Sequence, residues 1–181
     1  MFDIRPPVCD FYPTDHNNSN SHSVLLLSAL NLFNTARWRS TVERAWSALR
    51  RHAWRLVDLN VITPNQVHGR RYAGIQSVAI SQIRGSMGRT GDFDRSFHPL
   101  DDRLRSRWTS IAMARSQYIA LPPVSLVQVG NLYFVEDGHH RISVARALGE
   151  SAIDAEVTVW DVQGPLPWEP QPALQPVWQV A

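Results

Sequence analysis

Residues 124–159 carry an order of elements that few folds accommodate. Val124-Ser125-Leu126-Val127-Gln128-Val129 and Leu132-Tyr133-Phe134-Val135 flank the pair Gly130-Asn131. Two strand-like runs around such a pair spell a β-hairpin. Asp137-Gly138 breaks the second run, and a helix follows at once from His139 to Leu148, with Gly149 placed to cap its C-terminus. Ile153-Asp154-Ala155-Glu156-Val157-Thr158-Val159 then alternates as a final strand. A hairpin feeding a helix that returns into a strand predicts one small sheet with a helix packed on it.

The upstream residues extend this pattern. Ser77-Val78-Ala79-Ile80 is a short strand candidate, and Leu104, Trp108, Ile111, Ala112 and Arg115 recur at helical spacing up to the breaker Pro122-Pro123. Residues 24–68 read as helical. Trp38, Val42, Trp46, Leu49, Ala53 and Leu56 form a stripe expected to face the core, with Arg37, Arg44, Arg51 and Arg55 on the other faces. Ser40-x-x-Glu43 is a capping box or the interior of a longer helix. The predicted organisation is α+β: a poorly ordered arm (1–23), a helical segment (24–74), a mixed α/β domain (75–160) and a Pro-rich tail (161–181) carrying Trp168 and Trp178.

Composition narrows the chemistry. All 18 basic residues are Arg, so lysine Schiff bases and a Walker A lysine are excluded. Cys9 is the only cysteine, which excludes an intramolecular disulfide and a multi-cysteine zinc site. No run is long and apolar enough to span a membrane, and no signal peptide is legible, so a cytoplasmic setting is expected. The net charge of +2 hides a strong asymmetry. Residues 31–115 hold 15 Arg against 6 acids, whereas residues 116–181 hold 2 Arg against 7 acids. A basic first half suits a polyanion, an acidic partner or an acidic face of the chain's own second half.

Asp137-Gly138-His139-His140-Arg141 is the strongest candidate site. Glycine permits a tight turn, and the first turn of the following helix presents free N–H groups at its positive end, which suits an anion. Arg141 can add bidentate phosphate contacts, and His139 or His140 a further bond or a mobile proton. The plainer alternatives stay open: Asp137 as a turn residue, Arg141 paired with Glu136 or Asp94, and one histidine packed or bonded locally. Neighbouring positions on a helix point about 100° apart, so the two histidines are no chelating pair, and no metal site is expected from them. A second candidate is the loop Gly85-Ser86-Met87-Gly88-Arg89-Thr90-Gly91-Asp92-Phe93-Asp94. Ser86 and Arg89 would face a phosphate, while Asp92 and Asp94 would act as base or hold Mg²⁺; the alternative is a surface loop of Asx turns.

Asp137 to Ala145, with Gly149 and the strand that follows, resembles the signature of the ParB/sulfiredoxin-like superfamily. Ser77 to Ile83 resembles that family's opening element, and Pro122-Pro123-Val124 the approach to its hairpin. The likeness spans about residues 75–160. Gly85 to Arg89, Asp92-Phe93-Asp94, Phe97 and Trp108 resemble more narrowly an uncharacterised bacterial branch described as ParB-like nuclease domains. The resemblance implies a ParB/sulfiredoxin-like fold in which the loop after the first strand lies near the signature helix. Sulfiredoxins place a catalytic cysteine where His139 stands. Partition ParB proteins carry Gly-Glu-Arg-Arg, bind CTP and continue into a helix-turn-helix domain, which has no counterpart in residues 161–181. Free-serine kinases share a His-His-Arg phosphate site.

The resemblance implies a nucleotide (ADP, ATP or CTP, with Mg²⁺) or another phosphorylated ligand held by Asp137, Gly138, His139, His140, Arg141, Ser86 and Arg89. Phosphoryl transfer or phosphodiester cleavage would fall to Asp92, Asp94 and His140. The alternative is a non-catalytic DNA- or RNA-binding module using Arg37, Arg44, Arg51, Arg55, Arg70, Arg71 and Arg84.

Overall fold

The computed structural model describes residues 16–50, 54–61, 66–164, 166 and 168. Three α-helices, α1 (His16–Arg50), α2 (Arg105–Ser116) and α3 (His139–Ala147), accompany six strands among these residues. The strands are β1 (Val57–Asp58), β2 (Val67–Ala79), β3 (Ile83–Ser86), β4 (Val124–Val129), β5 (Leu132–Asp137) and β6 (Ala152–Val162). They form one mixed sheet in the order β1-β3-β5-β4-β6-β2. β4 and β5 are the expected hairpin at its centre, β4 runs parallel to β6, and β3 runs parallel to both β1 and β5.

The sheet has two apolar faces with different covers. Val124, Leu126, Val135, Ala155 and Val157 meet Phe33 of α1, Trp108 of α2 and Ile142 of α3. Trp108 is fully buried, packs edge-on against Phe33 at 5.5 Å, and donates its indole N–H to Ser143 Oγ at 2.8 Å. One side chain therefore fixes α2 against both other helices. Val127, Val129 and Phe134 point the other way, towards Leu59 and Leu166. The Trp168 ring lies 4.8 Å from that of Phe134, so this tail residue rests on the sheet.

Three sequence expectations change. The helical reading of 24–74 holds only to Arg50. Val57–Asp58 and the stretch from Val67 are extended, and the Ser77–Ile80 candidate is the last part of the 13-residue β2, Ile80 itself opening a 3-10 turn. Pairing decides this: β2 runs antiparallel to β6 from Val67 opposite Val162 to Ala79 opposite Ala152. Such a partner overrides local preference. At the N-terminus α1 begins at His16, inside the expected arm, while residues 1–15 lie outside the described residues, as does the tail apart from the positions given above. The apolar stripe of α1 is also displaced. Ala29, Phe33, Ala36 and Ser40 are buried, whereas Trp38, Trp46 and Leu49 are exposed. Ser40 lies mid-helix, its hydroxyl donating to the Arg37 carbonyl at 2.7 Å, so Ser40-x-x-Glu43 is not a capping box.

Candidate functional site

β5 passes into α3 through Gly138, whose φ of 100° lies in the left-handed region. A Cβ there would come within 2.5 Å of Val124 Cγ1 on the neighbouring strand, so both conformation and space require glycine. The first backbone bond of α3 runs from Ile142 N–H to the Gly138 carbonyl, and no side chain caps the helix. The N–H groups of His139, His140 and Arg141 therefore have no partner within the helix.

The two histidines have different environments. His139 is buried and shares a 2.6 Å hydrogen bond between its Nε2 and Ser86 Oγ at the end of β3. Ser86 is itself fully buried and also accepts the Arg89 N–H at 3.1 Å. This bond joins the glycine-rich loop to α3. His140 is 8% exposed and has no hydrogen-bond partner among the described residues. Its ring meets Phe93 edge-on at 5.3 Å, while His139 lies nearly parallel to the same ring at 6.0 Å. Burial, followed by the positive charge of Arg89, holds His139 at about 4. Burial, followed by Arg107 and then Arg89, holds His140 at about 4. Both rings are therefore neutral at physiological pH.

Arg89, Arg107, Asp137, Gly138, His139, His140 and Arg141 surround a small cavity of about 30 Å³. Arg141 is largely committed to holding the cavity together. Its guanidinium donates to the Pro122 carbonyl at 2.5 Å, the Pro123 carbonyl at 2.7 Å and Asp137 Oδ2 at 2.6 Å. Asp137, rather than Glu136 or Asp94, is its acidic partner, and this ties the Pro-Pro approach of β4 to the first turn of α3.

The carboxylates of the loop stand differently. Asp92 accepts from Arg103 at 2.5 Å and lies 3.7 Å from Arg89. Asp94 is fully buried outside the cavity. Its Oδ1 accepts the N–H groups of Ser96 and His98, and its Oδ2 faces His98 Nδ1 at 3.0 Å. The structure therefore does not bring Asp94 to the cavity at the start of α3: its own loop uses it as an Asx-type brace. With Asp94 sealed and Asp92 paired to arginine, these two do not fit a Mg²⁺ site. Among the described residues no group of three or more His, Cys, Asp or Glu is placed to hold a metal.

Sequence reasoning missed Arg107 and Phe93. Arg107 is an unremarked cation on α2 until Trp108 docks that helix onto α3, which turns its neighbour towards the cavity. Phe93 lay in a segment read for its charges. Several of the arginines proposed for nucleic acid are engaged within the fold. Arg37 pairs with Asp102, Arg44 and Arg55 each lie 5.0 Å from the Trp54 ring, and Arg70 lies over Trp160 at 4.2 Å on β2. Arg51 lies outside the described residues.

No family model matches the chain, and no curated protein matches it. Among solved structures, a sulfiredoxin from Arabidopsis thaliana is similar over 46% of this chain and 82% of its own, with 19% identity and a TM-score of 0.36. That score is too low to carry an argument about fold or activity. What stands is the mixed α/β architecture itself. No helix among the described residues is long and apolar enough to cross a membrane.

Proposed function

We propose that this chain is a ParB/sulfiredoxin-like domain that binds the phosphate end of a nucleotide or another phosphorylated small molecule at the N-terminus of α3. The observation that carries this reading is His140, whose imidazole lines the cavity and makes no hydrogen bond among the described residues, set beside the free N–H groups of the helix. Every fully sealed side-chain nitrogen or oxygen among the described residues has a partner, so the unbonded His140 nitrogen is open to the cavity, where an anion can meet it. Arg89 and Arg107 supply positive charge around the same cavity. It is too small for a whole nucleotide, so base and sugar would lie outside. Neutral His140 serves as a hydrogen-bond partner for the anion and, in a turnover reaction, as a base. Phosphoryl transfer or phosphodiester cleavage remains the reaction class, with Asp92 close to Arg89 and Asp94 confined to support.

Calorimetric titration of ADP, ATP, CTP and GTP, with and without Mg²⁺, tests this on the wild type, Arg107→Ala and His140→Ala. Both substitutions avoid the structural ties of Arg141. The reading expects binding of at least one nucleotide, weakened about tenfold or more in each variant, as for loss of a charge-assisted bond. Absence of binding by all four, and by inorganic phosphate, overturns it.

A further inference from the structure

The exposed side of α1 faces a groove that the phosphate site does not use. This groove, of about 490 Å³, runs between the C-terminal half of α1 and the loop carrying Arg95 and His98. Trp38 and Trp46 line it although they are 67% and 54% exposed; the Arg50 guanidinium lies over the Trp46 ring at 5.1 Å, and Arg39 also lines the groove. Eight residues separate the two indoles, about 12 Å along a helix. The opposite wall is fixed in place, because buried Asp94 holds both the backbone N–H and Nδ1 of His98. Beyond His98 the surface continues into a second open depression of about 530 Å³ that carries Arg84 and Arg146. Glu43 and Glu150 are the acidic residues lining these two depressions, against five arginines.

Two large aromatic faces alternating with cations along one groove match a specific chemistry. A duplex would use the cations and leave the indoles idle, since its base faces are already stacked. An acidic peptide would likewise need only the charges. Unpaired bases offer π-faces to tryptophan while their phosphates meet arginine. We infer that this groove binds single-stranded nucleic acid, with bases stacking on Trp38 and on the face of Trp46 that Arg50 leaves open, and the backbone following Arg39 and Arg95 towards Arg84. The site is separate from the α3 cavity and stands or falls without it.

Fluorescence anisotropy with labelled oligothymidylate and oligouridylate of about 15 nucleotides, a length in the range of single-strand binding sites, tests the inference on the full chain. Trp38→Ala and Trp46→Ala should each weaken binding about 5- to 150-fold, the loss expected for one stacked base. Both indoles are exposed, so circular dichroism and thermal midpoints should stay at wild-type values. Should either alanine variant fail to fold, the corresponding Trp→Phe variant, which keeps an aromatic face, should retain most of the affinity. Arg39→Ala and Arg95→Ala should each lower the slope of log affinity against log salt by about 0.7. No single-strand binding at low salt, equal affinity for duplex or polyglutamate, or indifference to the tryptophan substitutions would each overturn the assignment.

Discussion

Acidification from pH 7.5 to 5 should destabilise the fold through two histidines of α3. His139 and His140 are each held at about 4, against an ordinary value of 6.5, because their charged forms are disfavoured by burial and neighbouring arginines. Between those values the unfolded chain binds more protons than the folded one, so stability falls as pH falls. The contribution is intact above 6.5 and is lost progressively down to about 4. At pH 5 an unfolded imidazole is almost fully protonated and the folded one about a tenth protonated. The loss is therefore about 2 kcal/mol per histidine and, treating the two as independent, about 4 kcal/mol together. A domain is typically stable by only about 5–15 kcal/mol, so the effect is large. Carboxylate protonation lies mostly lower: Asp102, held below its ordinary range first by Arg37 and then by Arg105, loses its contribution only as pH falls through that range.

The assay is urea unfolding followed by circular dichroism at pH 7.5, 6.5, 5.5 and 5, for wild type and for the double variant His139→Gln, His140→Gln. The wild type should lose about 4 kcal/mol across the series, and the double variant should lose far less, even if it starts from a lower value. A wild-type change below about 1 kcal/mol would refute the reasoning, as would an equally steep acid loss in the variant.

Two further outcomes follow from the same elements. Gly138→Ala should cost about 2–5 kcal/mol, combining positive-φ strain with collision against Val124, whereas Gly149→Ala, also at positive φ but with open space around it, should cost only about 1–2 kcal/mol; matched thermal denaturation checks the difference. Arg141→Ala should lower stability by about 2–3 kcal/mol even without ligand, because two proline carbonyls and Asp137 lose their donor; an unchanged melting temperature would show that these bonds contribute little.

What was legible in the sequence is local. The hairpin around Gly130-Asn131, the break at Asp137-Gly138, the span of α2 and the strand after Gly149 all follow from turn chemistry and short-range periodicity, and each stands close to its expected place. The same logic located the free N–H groups at the start of α3, because a glycine in the left-handed region followed by a helix leaves them exposed wherever it occurs. The meeting of the glycine-rich loop with that helix came from resemblance alone, and the Ser86–His139 bond supplies its physical form.

Tertiary structure decided everything that depends on which surfaces meet. Spacing along α1 offers several apolar stripes, and only the position of Trp108 selects Phe33 for the core and leaves Trp38 and Trp46 outside. The residues after Arg50 have no strong local preference that survives the pairing of β2 with the whole length of β6. Asp92 and Asp94 look equivalent on paper, yet the fold pairs one with Arg103 near the surface and seals the other behind His98. His139 and His140 are adjacent and chemically identical, but their side chains diverge by about 100°. One therefore finds a serine and the other an open cavity, a distinction set by the neighbouring strand and loop rather than by sequence.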